Sequence, residues 1–462
     1  MEAITPMDSA LDPDSLIRSW IEDRIGPVSR IERQGRWRPS WYVDALDGSE
    51  MRHLYVRGDR AGDWPPMPLK YECRVFELFG QKGLRVPKIH GFIQEIPAIV
   101  MDLAPGRPDL RTAHSEADRD MIRDQLIEQM VMMHAIDPDA MADIGALRPD
   151  GDDEAGLTYY RLIEKLFTSN RIAPAPAADF VRRWLNRNVP KNPDGARPIT
   201  VDAGQFLFEG DRLTAMLDFE FAGLGDFHTD LAALRIRNRA EYIGDVEAMI
   251  TLYQKHSGVA VDLHRVRYHT AMIAILTPLQ VAAELARPTP EIDYHEYLVW
   301  DAFCTLIALD CIAEIMGWEE LETPLPDHPR LARHATSLTA LSMSLDAGVE
   351  EDEFAAYRRR KLQRTLRYIE RADGWRWQFD AEYLDDVAAL IGRRPSDWQE
   401  ADAEIERVVA MERPVDEKAL WRLLTRRYLR TCFLLADPED QMNHEQITTR
   451  MKPIGAATGE RR

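Results

Sequence analysis

The chain has 462 residues, 45% of them hydrophobic, and a formal net charge of −20 at pH 7. This length predicts more than one packed unit, and the negative charge disfavours binding to the phosphate backbone of nucleic acids. No uninterrupted apolar run is long enough to cross a bilayer. Cys73, Cys304, Cys311 and Cys432 lack the paired spacing of metal sites, which favours buried thiols in a reducing compartment. We therefore expect a cytoplasmic globular protein with neither a nucleic-acid nor a membrane partner.

The first hundred residues predict a small mixed sheet with one helix. The alternating runs SWYVDAL and RHLYVRGD bracket the turn-prone DGSE, which is typical of a hairpin. In LKYECRVFELFGQKG the apolar side chains recur at helical spacing and the run ends at glycines, which predicts a helix. VPKIHGFIQ and PAIVMDL predict a second pair of strands. A connector at residues 104–106 then ends a first unit, residues 1–104.

Beyond this connector the pattern is mainly helical. Ile122, Leu126, Met130 and Met133 lie on one face of an amphipathic helix. QFLF and LTAMLDFE predict short strands joined by a turn at residues 210–211, and helical spacing dominates from residue 230 onward. The polar run GWEELETPLPDHPR predicts a boundary, so we assign residues 105–319 to a second unit and residues 320–462 to a C-terminal helical unit. The final TTRMKPIGAATGERR is too poor in apolar side chains to pack and predicts a flexible tail.

Residues 199–226, ITVDAGQFLFEGDRLTAMLDFEFAGLGD, carry acidic and amide side chains at short intervals along a hydrophobic run. Phosphoryl transfer from ATP needs few groups: a holder for the phosphates, oxygen ligands for Mg²⁺, and a base that orients the acceptor hydroxyl. The segment EGDRLTAMLDFEFAGLGDFHTDLA resembles the aminoglycoside phosphotransferase and choline-kinase-like phosphotransferases. The resemblance runs from about residue 30 to about residue 238. It implies an α+β, bilobal, protein-kinase-like fold, with a small mixed-sheet N-lobe and a mainly helical C-lobe, to which this chain adds its C-terminal helical unit.

The same resemblance implies a nucleotide site. Asp218 in LDFE matches the aspartate that binds Mg²⁺, Arg57 takes the position of the lysine that holds the phosphates, and Glu72 matches its helix partner. Gly35 is the one glycine of RQGRWRPSWYVDA, where phosphate loops generally have several. The backbone from Met101 to Leu103 corresponds to the hinge that meets adenine.

The catalytic loop departs from the family pattern, which is His-Gly-Asp, four residues, then Asn. Here Thr200 and Val201 stand where His and Gly would, followed by Asp202 and, three positions later, Gln205. If the loop has lost two residues, Asp202 is the catalytic base and Gln205 is the second metal ligand. Without a gap, Thr200 falls at the base position and the site is inactive. We prefer the deletion because a loop shortens more easily than a strand end shifts.

The function implied by the resemblance is an ATP- or GTP-dependent and Mg²⁺-dependent phosphotransferase that acts on a hydroxyl of an unidentified small molecule. The missing His-Gly pair, the single loop glycine and Arg57 support an alternative, a catalytically degenerate kinase-fold protein that serves as a binding module or scaffold. Transfer of another group, such as an adenylyl moiety, is a third alternative. The C-terminal helices leave open a homo-oligomer or a protein partner.

Overall fold

The computed structural model describes most of the chain and gives the bounds of its helices and strands. The residues that it describes are 12–36, 38–59, 67–192, 194–290, 292–319, 321, 323, 329, 332–348, 352–410, 416–437 and 441–455. Part of the predicted boundary at residues 317–330, and the end of the predicted tail, therefore lie outside the described residues.

The N-terminal part is an antiparallel sheet of five strands in the order β1-β2-β3-β5-β4. A first helix, α1, precedes it, and a second, α2, connects β3 to β4. These elements are α1 Pro13–Arg24, β1 Val28–Arg33, β2 Ser40–Asp47, β3 Glu50–Gly58, α2 Leu69–Gln81, β4 Ile89–Ile93 and β5 Ala98–Asp102. The predicted hairpin, helix and second strand pair are confirmed. The sequence reading missed α1, although Asp12 caps its start, and it missed β1, where VSRIER lacks a clear apolar alternation.

The described residues in the middle of the chain form eight helices, α3 to α10, and two small antiparallel sheets, in which β6 pairs with β9 and β7 with β8. The helices are α3 Glu116–His134, α4 Pro138–Asp143, α5 Thr158–Asn170, α6 Pro176–Arg187, α7 His228–Ala240, α8 Val246–Ser257, α9 Leu263–Ala286 and α10 Tyr294–Met316. The strands are β6 Arg197–Ile199, β7 Phe206–Glu209, β8 Arg212–Met216 and β9 Gly223–Gly225. Short 3₁₀ turns lie at Leu110–Thr112 and Asp152–Leu157. The predicted β7–β8 hairpin is confirmed.

Helix α9 is long and apolar enough to span a membrane by length and composition alone. However, 56% of its apolar window is buried inside the protein, and α9 packs along α10, α7 and α5. This is the environment of a core helix.

The C-terminal helices continue the core of the middle region. They are α11 Ala335–Asp346, α12 Glu353–Ile391, α13 Trp398–Ala410, α14 Glu417–Leu435 and α15 Gln441–Thr448. Tyr383 of α12, Ile405 of α13 and Trp421 of α14 belong to the same buried cluster as residues of α5, α6, α9 and α10. The indole Nε1 of Trp421 donates to the carbonyl of Leu309 at 3.0 Å. These helices therefore fold onto the middle region and share its interior.

The described part of the predicted flexible tail is packed. Met451 and Ile454 are buried, the Ile454 amide donates to Glu314 at 2.9 Å, and Arg267 donates to the Ile454 carbonyl at 2.6 Å. The prediction of a tail that cannot pack is therefore wrong for residues 449–455. Two apolar side chains and two backbone hydrogen bonds to charged groups anchor this segment, and a count of its apolar residues missed this contribution.

Candidate active site

Two loops that follow β6 and β8 meet beside the N-terminal sheet and bring the predicted acidic residues together. Residues 200–205 connect β6 to β7, and residues 217–222 connect β8 to β9. The Leu217 amide donates to the Gln205 carbonyl at 2.9 Å, which holds the end of the first loop beside the start of the second. The Gln205 side-chain amide donates to Asp202 at 2.8 Å. Asp202, Gln205 and Asp218 thus lie at one junction.

Asp230, in the first turn of α7, stabilises the first of these loops through hydrogen bonds. Its buried carboxylate accepts hydrogen bonds from the backbone amides of Thr200 and Val201, at 3.0 and 2.8 Å, and from the Thr200 hydroxyl at 3.1 Å. His134 bonds the same carboxylate at 3.0 Å through Nε2 and the Tyr253 hydroxyl at 2.8 Å through Nδ1. Asp230 therefore stabilises this loop, and His134 is a core histidine with both ring nitrogens hydrogen-bonded.

Val201 and Asp218 have an unusual backbone conformation. Among the described residues they are the non-glycine residues with positive φ, 63° in both cases. A β-branched side chain disfavours this left-handed region strongly, so the surrounding hydrogen bonds must hold Val201 there. The loop thus keeps a conformation typical of glycine at the residue immediately before Asp202.

Asp202 lies between an arginine and an amide. Arg237 of α7 donates to Oδ1 at 2.5 Å, and Gln205 donates to Oδ2. Burial raises the pKa of Asp202 above its usual value, and the nearby Asp218 adds to this, while Arg237 opposes the shift. The result is a carboxylate whose basicity is greater than that of an exposed aspartate.

Arg57 of β3 and Arg38, just before β2, connect the sheet to the second loop. The Arg57 Nε donates to Glu72 of α2 at 3.1 Å, and its NH2 group donates to Asp218. Arg38 is fully buried and donates to Glu220. Burial alone would lower the pKa of Arg57, but the three carboxylates around it outweigh this and hold the pKa well above its ordinary value. The Arg57 guanidinium is therefore permanently charged.

A model of the family described as "Phosphotransferase enzyme family" matches residues 34–269, just over half of the chain. The chain belongs to this phosphotransferase family. The matched range begins beside Gly35 and includes both loops, Arg57, Asp202 and Asp218. The predicted recognition is confirmed, and so is the predicted bilobal, protein-kinase-like fold, with a sheet-containing N-lobe and a helical C-lobe that continues into extra C-terminal helices.

Several solved structures are similar to this phosphotransferase-family chain. A Ralstonia eutropha protein assigned as an aminoglycoside phosphotransferase shares 17% identity with a TM-score of 0.48, covering 66% of this chain and 96% of that chain. The macrolide 2'-phosphotransferase of Brachybacterium faecium shares 19% identity with a TM-score of 0.45, covering 62% and 96%. An aminoglycoside phosphotransferase from Streptomyces rimosus, in complex with ADP and streptomycin, shares 14% identity with a TM-score of 0.41, covering 57% and 97%. No curated protein matches the sequence.

The predicted hinge residues lie partly inside the sheet. Met101 is buried in β5, which has β3 on one side and β4 on the other. The Leu103 amide donates to the His53 carbonyl at 2.9 Å, and the Asp102 amide donates to the Lys88 carbonyl at the same distance. These two amides are therefore already hydrogen-bonded within the sheet. The next amide along the chain, that of Ala104, makes no hydrogen bond among the described residues.

Gly35 lies against the C-terminal helices. A Cβ atom at this position would come within 2.7 Å of the Glu353 carbonyl oxygen at the start of α12. The neighbouring Arg33 guanidinium stacks over the Phe354 ring, 4.0 Å from its centroid. The absence of a side chain at Gly35 therefore allows α12 to approach the loop that precedes β2.

The sequence reading missed Arg237 and assigned no role to Arg38. Arg237 follows Asp230 by seven residues, so both lie on the same face of α7, toward the loop that contains Asp202. This spacing is a signal that the sequence did contain. Arg38 had no such signal, because its partners Glu72 and Glu220 are far away in the chain.

The oxygen ligands at the junction suit Mg²⁺, which typically binds one or two carboxylates together with phosphate oxygens and water. Within the described residues, no group of three His, Cys, Asp or Glu side chains could hold a metal by itself. Asp218 is partly exposed and shares one oxygen with Arg57. Gln205 donates through its amide nitrogen, which leaves its carbonyl oxygen for another partner. One carboxylate and one amide oxygen fit a cation that is also bound by nucleotide phosphates.

Proposed function

We propose that the protein is an ATP- and Mg²⁺-dependent phosphotransferase that acts on a hydroxyl of a small molecule. The observation that carries this proposal is the bracing of Thr200 and Val201 by Asp230, with Val201 in a glycine-like conformation. The resembled motif has glycine at this position, followed directly by the catalytic aspartate. The backbone therefore favours the alignment with a shortened loop, in which Asp202 is the base.

Asp202 would orient the acceptor hydroxyl and accept its proton as the phosphoryl group is transferred. A base works best when its pKa approaches the operating pH, and burial moves the pKa of Asp202 in that direction. Arg237 limits the shift, so that the carboxylate remains ionised and correctly oriented. Gln205 holds the other carboxylate oxygen.

Asp218 and Gln205 would hold Mg²⁺, which neutralises charge on the transferring phosphoryl group when it is bound. Arg57 would contact the phosphates. Its planar fork already spans Glu72 and Asp218, which a lysine could not do with the same geometry. Arg38 pairs with Glu220 and thereby balances the negative charge of this further carboxylate.

The adenine base would meet the backbone just after β5. The amides of Asp102 and Leu103 are engaged in the sheet, so we move the proposed contact from Met101–Leu103 to the Ala104 amide. Gly35 would still lie near the phosphates, although its closest observed neighbour is Glu353.

We retain the divisions near residues 104 and 319 as a proposal about chain organisation, with the C-terminal helices sharing a core with the C-lobe. These helices also present exposed apolar side chains, a feature of partner-binding surfaces. They are Leu341, Met343, Leu362 and Ile369. Light scattering on the purified protein would show whether this face forms a homo-oligomer.

Thermal unfolding with ATP and Mg²⁺ tests the nucleotide site. A ligand that binds only the folded state raises the melting temperature by mass action, and we expect a shift of several degrees at saturating ATP and Mg²⁺. Asp218→Asn should remove the part that depends on Mg²⁺. Asp211→Asn, in the turn between β7 and β8, is the matched control and should behave as wild type. A wild-type protein that ATP and Mg²⁺ do not stabilise would contradict the proposal.

A further inference from the structure

A large groove lies between the C-lobe and the C-terminal helices. It has a volume of about 830 Å³ and is formed by the α5–α6 connection, the second half of α9, the start of α10, and parts of α13 and α14. This volume is in the range of small-molecule sites. Most of the lining lies beyond residue 269, outside the part of the chain that matches the family model.

The walls of the groove are largely apolar. Leu166 and Phe167 line one side, Leu279 and Ala283 of α9 line another, and Trp398 lies at the rim with 46% of its surface exposed. Such walls favour a ligand with a hydrocarbon or ring body, because burying apolar surface on binding is the main source of affinity there.

Two polar groups in the groove have unmet bonding capacity. Within the described part of the chain, neither a hydrogen bond nor an ion pair reaches the carboxyl of Asp301. Burial raises the pKa of Asp301 to about 7, against the opposing effect of Arg427. The side-chain nitrogen of Gln280 is also buried and has no hydrogen-bond partner among the described residues. A buried amide nitrogen is normally hydrogen-bonded, so that of Gln280 calls for an explanation, and the partly exposed carboxyl of Asp301 lies beside it in the same groove.

Among the described residues, the arginines of the groove form no ion pair with Asp301, and two of them are paired with other carboxylates. Arg427 binds both oxygens of Asp402, the second at 2.7 Å. Arg171 binds both oxygens of Asp179, at 3.1 and 2.7 Å. Arg287 lies at the exposed end of α9. The groove therefore holds a carboxyl without a counter-ion beside apolar walls.

We propose that this groove binds an amphipathic amine, whose ammonium group pairs with Asp301, whose apolar body lies on α9 and Trp398, and whose further polar group meets Gln280. A cation supplies the missing counter-ion, whereas an anion would face Asp301 and Glu284 unfavourably. A side-chain amide can present either its oxygen or its nitrogen, so Gln280 suits a hydroxyl or an amide of the ligand.

Isothermal titration of the full-length protein with three eight-carbon probes tests this site. n-Octylamine is a cation at neutral pH, 1-octanol is its neutral counterpart, and octanoate is an anion with a body of matching length. ATP and Mg²⁺ are left out, so the result does not depend on the proposed phosphotransferase function. We expect n-octylamine to bind about tenfold more tightly than 1-octanol, as one added charge-assisted contact allows, and octanoate to bind most weakly.

Two variants locate the binding. Asp301→Asn keeps the size of the side chain and should weaken n-octylamine about tenfold while leaving 1-octanol unchanged. Ala283→Trp fills the groove and should abolish binding of both probes. Asp143→Asn, an exposed carboxylate at the end of α4, is the control and should bind as wild type. Equal affinity for the three probes, no binding of n-octylamine, or unchanged binding in Asp301→Asn or Ala283→Trp would each overturn the proposal.

Discussion

The cleft between the lobes and the groove among the C-terminal helices differ in one respect: among the described residues, the groove has a carboxyl, that of Asp301, that forms no ion pair. In the cleft every carboxylate has an arginine partner: Asp202 has Arg237, Glu72 and Asp218 share Arg57, and Glu220 has Arg38. In the groove, Asp301 has no such partner among the described residues. The cleft is thus compensated before any ligand arrives, whereas the groove requires the ligand to bring the opposite charge.

This difference matters for energetics. Removing one member of a buried ion pair leaves an uncompensated charge and is costly, whereas neutralising an unpaired buried carboxyl removes a desolvation penalty. Removing one member of an ion pair in the cleft should therefore destabilise the protein, whereas neutralising Asp301 in the groove should stabilise it.

Removing Arg57 should have the largest effect, because it leaves Glu72 and Asp218 without their shared partner. We expect Arg57→Ala to lower the free energy of unfolding by about 3–5 kcal/mol, measured by denaturant titration. Arg57→Lys keeps the charge but loses the fork, so its loss should be clearly smaller. Equal stability of Arg57→Ala and wild type would show that the charge cluster contributes nothing to folding.

Asp301→Asn should change the free energy of unfolding in the opposite direction and stabilise the protein. The pKa of Asp301 is about 7 in the folded protein, well above that of an unfolded aspartate. The folded state therefore holds an extra proton between about pH 4 and pH 7, and wild-type stability falls as the pH rises through this window. Asp301→Asn has no carboxyl to titrate at this position, so it does not lose this stability as the pH rises.

We expect Asp301→Asn to be more stable than wild type by ~2 kcal/mol at pH 8, after allowance for partial exposure. The advantage should shrink steadily toward pH 4. Thermal or denaturant unfolding across this range measures it, with Asp143→Asn as the control. A difference from wild type that does not change with pH would contradict the assigned titration of Asp301.

Arg237→Gln tests the proposed role of Asp202 as the base. Arg237 opposes the upward pKa shift of Asp202, so its removal should raise that pKa further. Because a base must be deprotonated to act, the acid limb of the pH profile of ATP turnover should move to higher pH. Arg212→Gln, on the exposed edge of β8, should leave the profile unchanged. An unshifted acid limb in Arg237→Gln would remove Asp202 from the role of titrating base.

The smallest effect concerns the contact between α12 and Gly35, in the loop that precedes β2. In Gly35→Ala the new Cβ would collide with the Glu353 carbonyl, so we expect a loss of about 1 kcal/mol in the free energy of unfolding. Gly151→Ala is the matched control, because its backbone is extended and no atom lies within 4 Å of the added Cβ. Equal effects of the two substitutions would argue against the close approach of α12.

The sequence predicted what depends on local spacing. The β2–β3 hairpin, α2 and the β7–β8 hairpin follow from alternation, helical periodicity and turn residues within a few positions of each other. Local patterns were enough for these elements.

Contacts between distant residues could not be predicted in this way. Arg38 meets Glu220 across 182 positions, and the groove around Asp301 is formed by five separate segments. Gly35 looked like part of a phosphate loop, yet its closest packing is with a helix more than three hundred residues later. The burial of residues 449–455 likewise depends on a surface built by α7, α9 and α10. Only the packed chain brings these groups together.

The most direct test of the account is the rate of ATP consumption with Mg²⁺ by wild type and Asp202→Asn, with ATP affinity measured on the same samples. We predict slow phosphoryl transfer to water by wild type. Asp202→Asn should bind ATP as tightly but lose turnover by about 10²–10⁴-fold, the usual contribution of a general base. A wild-type protein that binds ATP without consuming it, or an Asp202→Asn variant as active as wild type, would contradict the account and favour a kinase-fold binding protein.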